Sequence, residues 1–129
     1  MFTICIIDDE APICDILRRL FQRVGWAATC LTDSTMAYHT LRAAPVDAVL
    51  LDLMMPGVDG FGVLAAIRSD PVLARTPVIF YSAVSDEAVK ERARAAGADD
   101  YIVKTTPFKQ IIERLSRYAE QRSSDAPKS

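Results

Sequence analysis

Asp8, Asp9 and Glu10 stand in a row directly after the apolar run TICII, residues 3–7. Asp52 follows a second such run, AVLL at 48–51, and is itself followed by Leu53, Met54, Met55, Pro56 and Gly57. Ser82 lies near the end of PVIFYSA (77–83), and Lys104 closes DYIVK (100–104). An acid in apolar company is costly, because burial takes water from its charged form. Several carboxylates brought together also repel one another, and a divalent cation removes that conflict. Magnesium prefers a few carboxylates, retained waters and phosphate oxygens to a full protein cage. A lysine and a hydroxyl close by would serve the remaining oxygens of a phosphoryl group. In that chemistry Asp52 is the nucleophile, since carboxylates form covalent phosphoryl intermediates. Singly, each group has a plainer use: Asp8 and Asp9 as loop or capping acids, Lys104 as a solvated cation, Ser82 as a strand-end hydroxyl. Only their joint placement argues for a site.

That placement depends on the elements around them. Strand-like and helix-like segments alternate five times. TICII is continuous and β-branched, as a strand covered on both faces would be. Ile13, Ile16, Leu17, Leu20, Phe21 and Val24 give the three/four spacing of a helix over 11–24 that stops at Gly25. WAATCLT (26–32) reads as a second strand, and Ser34 or Thr35 can cap a short helix reaching Ala43 before Pro45. DAVLLD (47–52) is the third strand, and Asp59 can cap the next helix, with Phe61, Leu64 and Ile67 inward. After the fourth strand (77–83), Ser85 or Asp86 starts a helix that Gly97 ends. DYIVK is the fifth strand, and Pro107 suits the first turn of a last helix burying Phe108, Ile111, Ile112 and Leu115. The pattern predicts an α/β fold, a single doubly wound (βα)5 domain with a five-stranded parallel sheet in the flavodoxin-like order 2-1-3-4-5. In such a sheet the carboxyl ends of all strands share one edge, so the scattered groups converge.

Bulk composition narrows the classes. The chain has 129 residues, 50% hydrophobic, with a formal net charge of −2, which suits one compact domain and offers no basic stripe for nucleic acid. No apolar run approaches the roughly 18 residues of a membrane span. Met1 leads almost directly into the first strand, so no signal peptide is expected and the setting is expected to be cytoplasmic. Cys5, Cys14 and Cys30 are odd in number, sit in apolar contexts and lack metal-ligand spacing, so they read as buried free thiols in a reducing compartment. His39 reads as an exposed polar side chain on the second helix. The last stretch, 122–129, is polar and is expected to be a disordered tail or linker stub after a domain spanning 1–121.

The stretches IIDDE, VLLDLMMPGVDG, YSA and AGADDYIVK, with the spacings from Asp52 to Ser82 and to Lys104, resemble the receiver domain of bacterial two-component response regulators. The resemblance runs from Phe2 to about Ala119. It implies that Asp52 accepts a phosphoryl group from a phosphohistidine on a sensor histidine kinase or histidine phosphotransfer protein. It implies that Asp9, Asp52 and the backbone carbonyl of Met54 bind Mg2+ directly, with Asp8 acting mainly through water. Lys104 would pair with Asp52 and then with the phosphoryl group, Ser82 would bond another phosphoryl oxygen, and Tyr101 would be the aromatic switch that turns inward. Glu10 is read as a helix-start residue. Met54 and Val84 flank the path of a hydrolytic water in this reading and would shield the phosphoryl group. Arg92, Arg94, Asp99, Asp100 and Arg114 are candidate charges for a phosphorylation-dependent homodimer through the fourth helix, fifth strand and fifth helix. The chain departs from the family at Thr105, where proline usually follows the lysine through a cis bond. A cis bond to a non-proline residue costs about 2.5–4 kcal/mol, so Lys104–Thr105 is expected to be trans.

Three rival readings differ in specific residues. A haloacid-dehalogenase-like, magnesium-dependent phosphatase would carry its aspartate after the first strand and a second acid two residues on, where this chain has Met54, and its cap domain does not fit this length. A non-phosphorylated scaffold receiver would not need the complete set of site groups. A flavodoxin-like FMN binder would meet an acidic first loop that repels the flavin phosphate. The expectation is therefore a signalling domain rather than a turnover enzyme, either standing alone or cut from a longer regulator.

Overall fold

The computed structural model describes residues 1–125, with side chains through Gln121. Its strands are β1 (Thr3–Ile7), β2 (Ala27–Leu31), β3 (Ala48–Leu51), β4 (Val78–Ser82) and β5 (Asp100–Val103). The helices are α1 (Ala11–Arg23), α2 (Ala37–Ala43), α3 (Gly60–Ser69), α4 (Glu87–Ala95) and α5 (Phe108–Asp125). All neighbouring strands pair in parallel, in the order β2-β1-β3-β4-β5, as the alternating pattern predicts. Helix α5 runs past the expected boundary at 121 as far as Asp125; positions 126–129 of the expected tail lie outside the described residues.

Strand side chains alternate between faces, so one continuous apolar run supplies two cores. Ile4, Ile6, Ala48, Leu50, Ile79 and Ile102 point toward α1 and α5, where Cys14, Leu17, Phe21, Ile111 and Leu115 meet them. Cys5, Ile7, Val49, Leu51, Val78, Phe80 and Tyr101 point to the other side, against Leu41, Val63, Leu64, Ile67 and Ala93. Each fully buried Leu or Ile here is worth about 1.5–3 kcal/mol relative to exposure. Helix α4 is the exception, with Ala93 as its one buried residue.

Local chemistry sets the helix starts. Asp59 accepts from the Gly62 N–H and Asp86 from the Ala88 N–H, so both expected caps are in place. Before α2 the cap is Asp33, not Ser34 or Thr35: its carboxylate accepts from the Thr35 N–H and opens a 3-10 turn over Ser34–Met36. A carboxylate accepts more strongly than a hydroxyl, and Asp33 still has the extended backbone a cap needs. Pro107 stands immediately before α5, its carbonyl accepting from the Gln110 and Ile111 N–H groups. No peptide bond among the described residues is cis, so Lys104–Thr105 is trans as expected.

Gly60 fixes how α3 meets the site. A Cβ there would lie 2.6 Å from the Asp52 carbonyl oxygen, 2.8 Å from the Phe80 ring and 2.9 Å from the Leu53 Cα. The Gly60 N–H also donates to the Leu53 carbonyl at 2.9 Å. Gly60→Ala is expected to destabilise the protein by about 1–3 kcal/mol, the usual cost of overpacking. Urea unfolding checks this, and an unchanged midpoint would mean that the Asp52 backbone is not held by this contact.

Candidate functional site

Each site residue leaves the sheet where ladder bonds still hold its backbone. Ile7 pairs with Leu51 in register, and the Asp52 N–H donates to the Ile7 carbonyl at 2.8 Å while the Asp8 N–H donates to Leu31 at 3.1 Å. Ser82 pairs with Val103, and the Lys104 N–H donates to the Ser82 carbonyl at 2.8 Å. The next strand after β1 is β2 on one side and β3 on the other, so Asp8 and Asp52 flank the point where strand order reverses. Open parallel sheets bind ligands in that crevice.

The carboxylates converge as expected. One oxygen each from Asp8, Asp9 and Asp52 lies within 4.8 Å of the others, a donor set suited to a hard divalent cation. Asp8 and Asp52 are buried, at 1% and 6% exposure, whereas Asp9 faces solvent. Asp9, Glu10, Asp52, Met54, Ser82, Ala83, Val84 and Lys104 line a cleft of about 290 Å³. Met54 projects into solvent beside it, 69% exposed.

Lys104 does not favour Asp52 alone. Its Nζ donates to Asp8 at 3.0 Å and to Glu10 at 3.3 Å, and lies 3.6 Å from Asp52. Burial works against the charge of Lys104, but the Asp8 hydrogen bond and the Asp8 and Asp52 charges outweigh it and raise its pKa. Glu10 occupies the cap position of α1 but makes no side-chain capping bond; its carboxylate turns to Lys104 instead. Sequence reasoning assigned it only to the helix start. Its adjacency to the acid pair was the available signal, and its reach across to β5 was not.

Burial, and then the negative charge of Asp8, push the Asp52 carboxyl up to about 6; Lys104 and the Met54 N–H oppose that rise. Ser82 is buried and its Oγ accepts from the Val84 N–H at 3.1 Å. The Val84 carbonyl accepts the Tyr101 hydroxyl at 2.6 Å. Val84 therefore links the hydroxyl residue to the aromatic one through its own peptide groups. The Tyr101 ring is already buried, packed 6.1 Å from Phe80 between ring centroids.

The charges expected for a homodimer are engaged within the chain. Arg114 pairs with Asp100 at 2.9 Å, Asp99 with Arg68 at 2.9 Å, and Arg94 with Glu91. Arg92 lies 4.0 Å over the Phe61 ring. His39 is exposed on α2, beside Tyr38.

A parallel (βα)5 sheet with an acid cluster, a hydroxyl and a lysine at its carboxyl edge defines a CheY-like receiver fold, and residues 4–116 match the model of the response regulator receiver domain. The chain belongs to that family, a class of two-component signalling proteins. It is 33% identical over 114 residues to protein RcaC of Microchaete diplosiphon, covering 88% of this chain and 18% of RcaC. It is 32% identical over 124 residues to the DNA-binding response regulator MtrA of Mycobacterium tuberculosis, covering 96% of this chain and 53% of MtrA. The chain thus spans about half or less of the curated relatives it matches. The receiver domain of the Francisella response regulator 1452 superposes with a TM-score of 0.87 at 26% identity, covering 94% of this chain and 98% of that one. Receiver domains bind Mg2+ at an acidic pocket and interact with histidine kinases, and Asp8, Asp9 and Asp52 form such a pocket here. No helix among the described residues is long and apolar enough to cross a membrane.

A carboxyl raised to about 6 has a definite consequence for stability. Between about pH 4 and pH 6 the folded protein holds a proton that the unfolded chain has released, so this contribution is full below pH 4 and is lost as pH rises through 6. Without divalent cations, Asp52→Asn is expected to stabilise the protein at pH 7 by about 1–2 kcal/mol and to do nothing at pH 4. The lost Lys104 partner keeps the gain below the full shift. Urea midpoints of both proteins across this range check it; an Asn variant less stable at pH 7 would refute the charge argument.

Proposed function

We propose that this receiver domain takes a phosphoryl group onto Asp52 from a phosphohistidine of a sensor histidine kinase or phosphotransfer protein. The observation that carries the reading is the convergence of three carboxylate oxygens within 4.8 Å beside Lys104. Asp8, Asp9, Asp52 and the Met54 carbonyl would hold magnesium, which supplies positive charge that quiets carboxylate repulsion and draws in phosphoryl oxygens. An Asp52 oxygen attacks phosphorus, the phosphorus–nitrogen bond of the donor breaks, and the departing imidazole nitrogen keeps the bond's electron pair and takes a proton from water. Lys104, already charged, then bonds a phosphoryl oxygen in place of part of its present carboxylate set.

Ser82 would report the event. It accepts from Val84, and its own proton is committed to no partner among the described residues. Donating that proton to a phosphoryl oxygen shifts Val84 and, through the Val84 carbonyl, Tyr101. Helix α4 follows this loop and is held by little buried area, so a modest coupling of about 1–3 kcal/mol suffices to move it. The donor kinase and the output belong to partners with which this chain shares the cytoplasm in this reading.

Incubation with magnesium and acetyl phosphate tests the acceptor. A base-labile, acid-resistant phosphoprotein is expected from the wild type, none with the chelator EDTA, and none from Asp52→Asn. Equal labelling of the Asn variant would remove Asp52 from its role. Steady release of phosphate from many substrates would favour the phosphatase reading instead.

The lifetime of the phosphoryl group is a separate expectation. Met54 and Val84 both border the cleft, and neither side chain can orient a water. Missing that help costs about a hundredfold or more in rate. Met54→Asn, Val84→Glu and the double variant are expected to lose phosphate faster than wild type at saturating magnesium. Equal rates in all four proteins would leave these side chains with packing roles alone.

A further inference from the structure

The three cysteines do not share one environment. β1 and β2 run parallel with Ile4 opposite Ala28 and Ile6 opposite Cys30. Residues paired across parallel strands face the same side. Ile4, Ile6 and Ala28 all pack beneath α1, so Cys30 points to that side as well. β2 is the edge strand, and Cys30 is exposed there, contrary to the expectation of a buried thiol.

Cys14 lies in the first turns of α1 on the same face, 1% exposed, with its Sγ 3.6 Å from the Ile6 carbonyl. Ile6 is the register partner of Cys30, so the Cys14 thiol sits against one residue of that pair and Cys30 is the other, on the same face of the sheet. Cys5 stands one residue out of phase, opposite Thr29, in the core on the other face of the sheet. The fold therefore makes one thiol pair and leaves the third cysteine apart.

Arg18 stands on the same helix. It follows Cys14 by one helical turn, is ion-paired with Asp15, and its Nε is buried without a hydrogen-bond partner among the described residues. The Asp15 hydrogen bond and charge favour its protonated form. Reactive cysteines sit in partly exposed, electropositive surroundings, and buried ones are inert. Cys30 is exposed and Cys14 is covered by α1, so Cys30 is the sulfur that meets an oxidant first and Cys14 is the neighbour that can resolve it.

We propose that Cys30 and Cys14 form a reversible disulfide on exposure to a hydroperoxide, tying the first turns of α1 to the edge strand β2. The Cys30 thiolate attacks a peroxide oxygen, the O–O bond breaks, and Cys30 becomes a sulfenic acid while the peroxide is reduced. The Cys14 sulfur then attacks Cys30, the S–O bond breaks, and the departing hydroxide takes the Cys14 proton as water. Two thiols and one hydrogen peroxide give one disulfide and two waters. In the reducing compartment expected for this chain, such a bond is transient and sensing rather than structural. Helix α1 begins directly after Asp8, Asp9 and Glu10, so the tie bears on the loop that carries the carboxylates.

The test treats the folded full chain with hydrogen peroxide and maps thiols by non-reducing peptide mass spectrometry. A Cys14–Cys30 cross-linked peptide, lighter by two hydrogens and released by dithiothreitol, is expected. Cys5→Ser is expected to link as the wild type does. Cys14→Ser should stop at a Cys30 sulfenic acid captured by dimedone, and Cys30→Ser should leave Cys14 unmodified. Arg18→Gln should slow linking several-fold; an unchanged rate would strip Arg18 of its part. The proposal falls if the link forms only in urea, joins separate chains, involves Cys5, or is absent while Cys30 proceeds to sulfinic acid. Circular dichroism of each variant establishes that the fold is intact, and the wild-type and Cys5→Ser results decide the matter if Cys14→Ser does not fold.

Discussion

Lys104 reaches into a corner where Asp8, Glu10 and Asp52 would otherwise repel one another, and its ammonium offsets part of that repulsion. The balance is incomplete. Asp52 remains raised because burial and Asp8 outweigh what Lys104 and the Met54 N–H return. A site left short of positive charge favours a cation over a further anion. The same shortage is a standing cost to stability, which the two apolar layers offset.

The two ends of the sheet are built to different standards of rigidity. At the amino ends of β4 and β5, Arg68 donates to the Ala74, Thr76 and Gly97 carbonyls and pairs with Asp99, fastening the loops before both strands. Asp99 also accepts from the Val78 N–H at 2.8 Å. Among the described residues, no arginine or lysine gathers the loops at the carboxyl ends of β4 and β5 in this way. There, Ser82, Val84 and Tyr101 are joined by single hydrogen bonds, and the helix that follows buries little more than Ala93. The base of the sheet is thus fastened by several bonds and its rim by single ones, and regions held by few contacts open at lower free energy than the core.

Edge strand β2 shows the same division. Its inner neighbour β1 is covered on both faces, whereas β2 exposes Thr29 and Cys30 in mid-strand. The exposure brings one thiol to solvent while α1 keeps the other beneath it.

Much of this was legible in the residues themselves. Continuous apolar runs of strand length, separated by amphipathic helical spacing, allow only a parallel sheet covered on both sides. Residues that close those runs then have to share one edge, so the sequence alone places Asp8, Asp9, Asp52, Ser82 and Lys104 together. Period and strand direction carry that information, and both are local. The tertiary structure alone decided which partners the side chains chose. Lys104 bonds Asp8 and Glu10 more closely than Asp52, Asp33 rather than Ser34 caps the turn before α2, and Cys14 settles against Ile6, on the face of the sheet opposite Cys5. Each choice depends on how a helix sits on the sheet and which rotamer clears its neighbours. Those distances of a few ångströms arise between segments far apart in the chain, so no local pattern encodes them.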